Sequence, residues 1–278
     1  MLAVTLAAIS AAVWGTGDFC GGKAARRADA LTVTVIAQLA SVPLLAVIVA
    51  FFQPGTPRFA DAGWGALAGI SGFVGIVILY RGLAAGAMAV FAPVTAVTAA
   101  LVPFVVGLVV DATPQPLAVI GALLAVVAIG LVSVAPTATP NLVTPRLIGL
   151  ALAAGASFGI FFVMLGQADP HAGIWPLAGA RVGAIVVGLS VLSATGRTLR
   201  VAPSSIGLAL VAGTFDVSAN GLYLVAAAHA PLSIVAPIGA LYPVSTVLLA
   251  LAVDRERLRP VQIAGLGIAA TALVLVVS

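Results

Sequence analysis

Three charged side chains stand inside stretches that are otherwise apolar: Asp18, Arg181 and Asp216. Placing a charge in lipid costs roughly 3 kcal/mol or more unless it is paired or meets water, so each marks an ion pair, a wet cavity or both. Asn220 and Tyr223 follow Asp216 at four and seven residues, which places all three on one face of a helix. Counting about 1.5 Å per residue from the same membrane face, Arg181 lies about 10 Å deep and Asp216 about 18 Å deep, a difference an arginine side chain largely closes. Two readings follow: Arg181 holds a substrate carboxylate while Asp216 acts as a protonatable switch, or the two form a structural ion pair between helices. Asp18 is either an interfacial residue reaching toward Lys23, Arg26 and Arg27, or a cavity residue beside Trp14 one turn earlier. Tyr80 and Tyr242 are amphipathic, suited to interface anchoring or to ligand contact. Gln38, Thr95 and Thr98 are further polar candidates, although serine and threonine in membrane helices often bond their own backbone.

Two patterns imitate catalytic motifs. Gly155, Ala156, Ser157, Phe158 and Gly159 spell G-x-S-x-G, but inside an apolar helix rather than at a strand-to-helix elbow, and His171 and His229 both fall in connections. Gly15, Thr16, Gly17 and Asp18 resemble the motif of intramembrane aspartyl proteases with Asp216 as partner, in the wrong chain order. Hydrolysis is therefore the weaker reading. No nucleotide-binding loop, metal-ligand cluster or haem motif is present, so no cofactor is expected, and gradient coupling or facilitated diffusion is the expected drive.

The elements that must position these residues are dictated by composition. With 62% hydrophobic and 7% charged residues, the chain cannot coat a soluble globule, and the bilayer is its expected solvent. Cys20 is the single cysteine, which excludes an intrachain disulfide. The net charge of +4 is spread over short connections and forms no tract for nucleic acid. Ten apolar segments are expected to span as helices, at about residues 3–22, 31–52, 64–85, 88–110, 116–135, 146–166, 174–195, 204–228, 232–253 and 260–277. The first, lacking a basic leader, reads as a retained span rather than a cleaved signal. The expected class is therefore an all-α integral membrane protein with ten transmembrane helices in a plasma membrane.

Residues 1–134 lie over residues 145–278 at an offset of 144, with 135–144 as linker. Gly15 meets Gly159, Gly69 meets Gly213, Pro93 meets Pro237, Pro116 meets Pro260 and Gly121 meets Gly265. Five spans per copy, an odd number, make the second copy enter from the opposite face. Such inverted repeats build secondary transporters whose solute site lies near mid-membrane; a duplicated scaffold or sensor without transport is the alternative. Pro93 and Pro103 in the fourth span and Pro237 and Pro243 in the ninth are read as helix breaks or gating points, because proline removes an amide donor and frees the carbonyl four residues earlier. The common occurrence of proline in membrane helices is the plain alternative.

The chain resembles the drug/metabolite transporter superfamily, and within it the EamA-type ten-helix transporters. The resemblance rests on Trp14-Gly15, its echo Phe158-Gly159, the run Val235 to Ile238 echoed by Phe91 to Val94, and the turn from Asp254 to Leu258 followed by Pro260 and Gly265. In the first copy only Asp111, Pro116 and Gly121 remain of that turn, and Ala112 stands where Glu256 would fall. The resemblance implies movement of a small metabolite or drug, amino-acid-like or related, through a central cavity, with protons as a coupling partner to consider.

Orientation divides composition from resemblance. The odd-numbered connections hold ten cations and the even-numbered ones only Arg58. The positive-inside rule puts the odd connections in the cytoplasm and both termini outside, whereas the resemblance implies both termini inside.

Overall fold

The computed structural model describes residues 2–52, 58–110, 116–132, 144–169, 172–229, 239, 242–255 and 258–277. Ten α-helices are present among them: α1 (Leu2–Ala25), α2 (Ala30–Phe52), α3 (Phe59–Ala84), α4 (Met88–Val110), α5 (Pro116–Val132), α6 (Pro145–Leu165), α7 (Trp175–Ala194), α8 (Pro203–His229), α9 (Pro243–Val253) and α10 (Pro260–Val277). Six of these, α1, α2, α3, α6, α7 and α8, are long and apolar enough to cross a bilayer, and shorter apolar stretches cover Val90–Val102, Pro243–Val253 and Pro260–Ala272. The chain is an all-α, multi-pass membrane protein.

Proline sets where many of these helices begin. Pro116, Pro145, Pro203, Pro243 and Pro260 each occupy the first helical position, where the missing N–H has no intrahelical acceptor to lose. Thr144 caps α6, its side chain accepting from the Leu147 amide at 3.2 Å. Pro243 starts α9 after a turn at Tyr242, within the segment expected as the ninth span. The helix α4 runs through Pro93 and Pro103 as one element, so the expected break in the fourth span is not observed. Pro237, Glu256, Arg257, His171 and linker residues 135–143 lie outside the described residues.

Small residues let the helices cross closely. A Cβ on Gly65 or Gly69 of α3 would strike the Pro176 or Ala180 carbonyl of α7, and one on Gly179 or Gly183 would strike the Ala62 or Ala66 carbonyl of α3. The two helices thus meet backbone to backbone, the arrangement that small residues four apart permit. Gly213 of α8 lies in the same way against Ala37 of α2.

The packing map has an internal exchange. Helix α1 packs chiefly on α8, and α6 packs on α3; α3 packs on α7, and α8 on α2; α4 packs on α6, and α9 on α1. Adding five to each helix number converts one member of each pair into the other, counting cyclically. The contacts α5 with α10, α2 with α7 and α4 with α9 map onto themselves. Most of the extensive contacts join residues before the linker to residues after it. Side chains reinforce them: Ser10 Oγ donates to the Ala219 carbonyl at 2.8 Å, Ser71 Oγ to the Ser157 carbonyl at 2.8 Å and Thr246 Oγ1 to the Gly15 carbonyl at 2.9 Å.

Candidate functional site

A cavity of about 520 Å³ lies among α1, α2, α3, α4, α6, α7 and α8, with Gly239 and Tyr242 closing one side. That volume falls within the range of small-molecule sites. Its polar wall begins on α8, where Asp216, Asn220 and Tyr223 project together as their helical spacing requires. Asn220 Nδ2 donates to the Asp216 carbonyl at 2.7 Å, which fixes its amide against its own helix.

Arg181 reaches this wall from α7. Its Nη2 donates to Asp216 Oδ2 at 2.8 Å, and its Nη1 donates to Gln38 Oε1 of α2. The guanidinium side chain is 8% exposed and the Asp216 carboxylate 29%, so the pair lies at the boundary between packed protein and cavity. Of the two readings of these residues, the geometry is that of an ion pair joining α7 to α8, with Gln38 tying in α2. Both terminal nitrogens are engaged by the protein, and the buried Nε faces no partner among the described residues.

Asp18 enters the wall from α1, with Trp14 one turn away. Two of its basic neighbours, Lys23 and Arg26, are held by Asp254 instead. Lys23 Nζ lies 2.5 Å from Asp254 Oδ1, and Arg26 Nη2 approaches Oδ2 at 2.7 Å as an ion pair without hydrogen-bond alignment. Trp14 and Tyr223 pack with ring centroids 5.6 Å apart and planes tilted by 42°. Tyr80 is 3% exposed, packs over Gly21 and lines the cavity, a position unlike that of an interface anchor.

Nine of the sequence-derived candidates therefore border one cavity: Trp14, Asp18, Gln38, Tyr80, Arg181, Asp216, Asn220, Tyr223 and Tyr242. Thr95 and Thr98 do not. They face α6 instead, Thr95 Oγ1 donating to the Ala151 carbonyl at 3.3 Å and Thr98 Oγ1 to the Val94 carbonyl of its own helix at 2.8 Å. The residues that α4 presents to the cavity are Ala96, Ala99 and Ala100. Pro93 and Pro243 also turn away from it and line a second, apolar pocket between α4, α9 and α10.

The opposite wall was not anticipated. Phe73 and Ile76 of α3 and Phe158, Phe161 and Phe162 of α6 line it. The available signal was the repeat itself, since Phe158 stands 144 residues after Trp14. Glycines thin this side: a Cβ on Gly72 would crowd the Phe161 ring and one on Gly75 the Phe158 ring.

Among the described residues, Ser157 and Asp216 of the two catalytic imitations are engaged elsewhere. Ser157 Oγ donates to the Ala153 carbonyl at 2.9 Å, bonding its own helix, and His229 Nδ1 lies 2.8 Å from the Val225 carbonyl. Asp216, the partner that an aspartyl dyad with Asp18 requires, is paired with Arg181.

At each end of the bundle, ion pairs join residues that precede the linker in sequence to residues that follow it. Beside the Asp254 cluster, Arg197 Nη1 lies 2.6 Å from Asp29 Oδ1, both on odd-numbered connections. On the even-numbered side, Arg58 Nη1 meets Asp169 Oδ2 at 2.6 Å, and the Asp169 amide donates to Asp61 Oδ1 at 2.9 Å.

Sequence comparison matches residues 1–134 and 146–278 to the model of the EamA-like transporter family. No curated protein matches the chain.

Proposed function

Because the chain belongs to the EamA-like transporter family, we propose that it is a secondary carrier that moves a small organic solute across the plasma membrane by alternating access through the α1–α8 cavity. One observation carries this reading: helices from both sides of the linker wall a single cavity that contains charged and amide side chains within an otherwise apolar bundle. A solute site between halves is the construction of inverted-repeat carriers. The exchange of helix contacts between residues 1–134 and 145–278 supports two five-helix repeats of opposite orientation. The ion pairs at Asp254, Asp29 and Asp169, all spanning the linker, are placed to break and re-form as one face opens and the other closes.

The ion pair of Arg181 and Asp216 is the contact that a coupled proton would have to open, with Asp18, Tyr80 and Tyr242 as the other titratable groups bordering the same space. In proteoliposomes, solute flux over a panel of amines, amino acids and organic acids is expected to respond to an imposed pH step. Flux in Asp216→Asn is expected to lose that response. A scaffold or sensor would move none of the panel. The charge rule further places Ser278 outside, so a reporter that matures only in the cytoplasm is expected to stay dark when fused there.

A further inference from the structure

We infer that the solute is a monovalent organic cation with an aromatic or apolar body, bound at Asp18; this rests on the carrier reading. The charged side chains bordering the cavity are Asp18, Asp216 and Arg181. Arg181 and Asp216 neutralise each other, and Gln38 occupies the remaining terminal nitrogen of the guanidinium. The Asp18 carboxyl is left over. Among the described residues the Asp18 carboxylate makes no hydrogen bond or ion pair, and the nearby cations Lys23 and Arg26 are held by Asp254. A carboxyl group in a largely apolar chamber takes up a proton unless a partner of opposite charge or water stabilises its charged form, so a cation at Asp18 competes with that proton.

The surroundings select the form of that partner. Trp14 precedes Asp18 by one turn, and Tyr80 and Tyr242 border the same space, so a cation paired with Asp18 also meets aromatic faces, whose quadrupole attracts positive charge. Phe73, Phe158 and Phe161 across the cavity offer an apolar surface for the rest of the molecule. A carboxylate-bearing solute would have to draw Arg181 away from Asp216, the carboxylate it already holds. An amine or quaternary ammonium therefore fits better than an amino acid.

The test uses the full chain in proteoliposomes with three probes that share a phenyl ring: benzyltrimethylammonium, phenylalanine and phenylacetate. Benzyltrimethylammonium is expected to enter well above protein-free vesicles, with the zwitterion and the anion near background. Asp18→Asn is expected to lower its uptake at least about tenfold, as loss of a charge partner does, and Asp18→Glu to retain part of it. Unchanged melting temperature and elution volume of the purified variants separate this loss from misfolding. Quenching of tryptophan fluorescence by benzyltrimethylammonium gives a second, equilibrium readout, and it too should weaken in Asp18→Asn. Uptake of phenylalanine or phenylacetate without the cation, or full cation uptake and binding in Asp18→Asn, overturns the inference and leaves the carrier reading standing. Failure of well-folded protein to move any of the three probes or any of the wider panel overturns both.

Discussion

The two long walls of the cavity occupy equivalent places in the chain but differ in chemistry. Helices α1 and α8 form one, helices α6 and α3 the other, and positions on them are related by the offset of 144. Trp14 answers to Phe158, Asp18 to Phe162, Asp216 to Gly72 and Asn220 to Ile76, and all eight border the cavity. Packing has been kept while polarity has not. Gly69 and Gly213, also 144 apart, each press against a neighbouring backbone, at Ala180 and Ala37. The difference teaches that close helix crossings constrain both walls alike, whereas at these four paired positions the carboxylates and the amide stand on one wall alone.

That comparison is broken most severely at the crossings. Gly69→Leu and Gly213→Leu each drive a side chain into backbone that no rotamer change relieves, and both are expected to abolish recovery of folded protein. A size-exclusion profile of each variant checks this, and survival of one but not the other would show that the two crossings are not equivalent. The next effect is confined to the polar wall. Asp216→Gly, which copies the residue at position 72, leaves Arg181 without its carboxylate and is expected to destabilise the protein by about 1–3 kcal/mol, below the range for fully buried pairs because the carboxylate borders the cavity. Thermal unfolding of purified protein measures it. Gly72→Ala, the matching intrusion on the apolar wall, meets only the edge of the Phe161 ring and should shift stability by less than about 1 kcal/mol. Smallest of all is Phe158→Trp, which gives the apolar wall the ring of the polar one; solute uptake is expected to change by less than about threefold, since one apolar aromatic surface replaces another.

Much of the polar wall was legible because polar residues are conspicuous against lipid-like sequence. Asp216, Asn220 and Tyr223 share a helix face by spacing alone, and the eighth span expected at 204–228 is Pro203–His229 in the structure. The start of α3 was read five residues late; Asp61 lies in its first turn, is 4% exposed and accepts the Asp169 amide. Helix rotation was harder to read. In α4 every face is apolar or small, so nothing in the chain distinguishes Thr95 and Thr98, which meet α6, from Ala96, Ala99 and Ala100, which meet the cavity. The phenylalanine wall was invisible for a related reason, since an apolar ring suits lipid, a helix interface and a ligand equally well. Proline was harder to read because its meaning depends on register: α4 continues past Pro93, whereas Pro243 starts a helix.

Alternating access through this cavity is most directly tested by cysteine labelling from each side of the membrane. Cys20→Ser removes the single native thiol, and a cysteine in place of Ala184, which borders the cavity on α7, reports access by a membrane-impermeant maleimide in vesicles of known orientation. The account predicts labelling of that position from both faces, slowed by a transported solute. Labelling from one face only, or none from either, contradicts it.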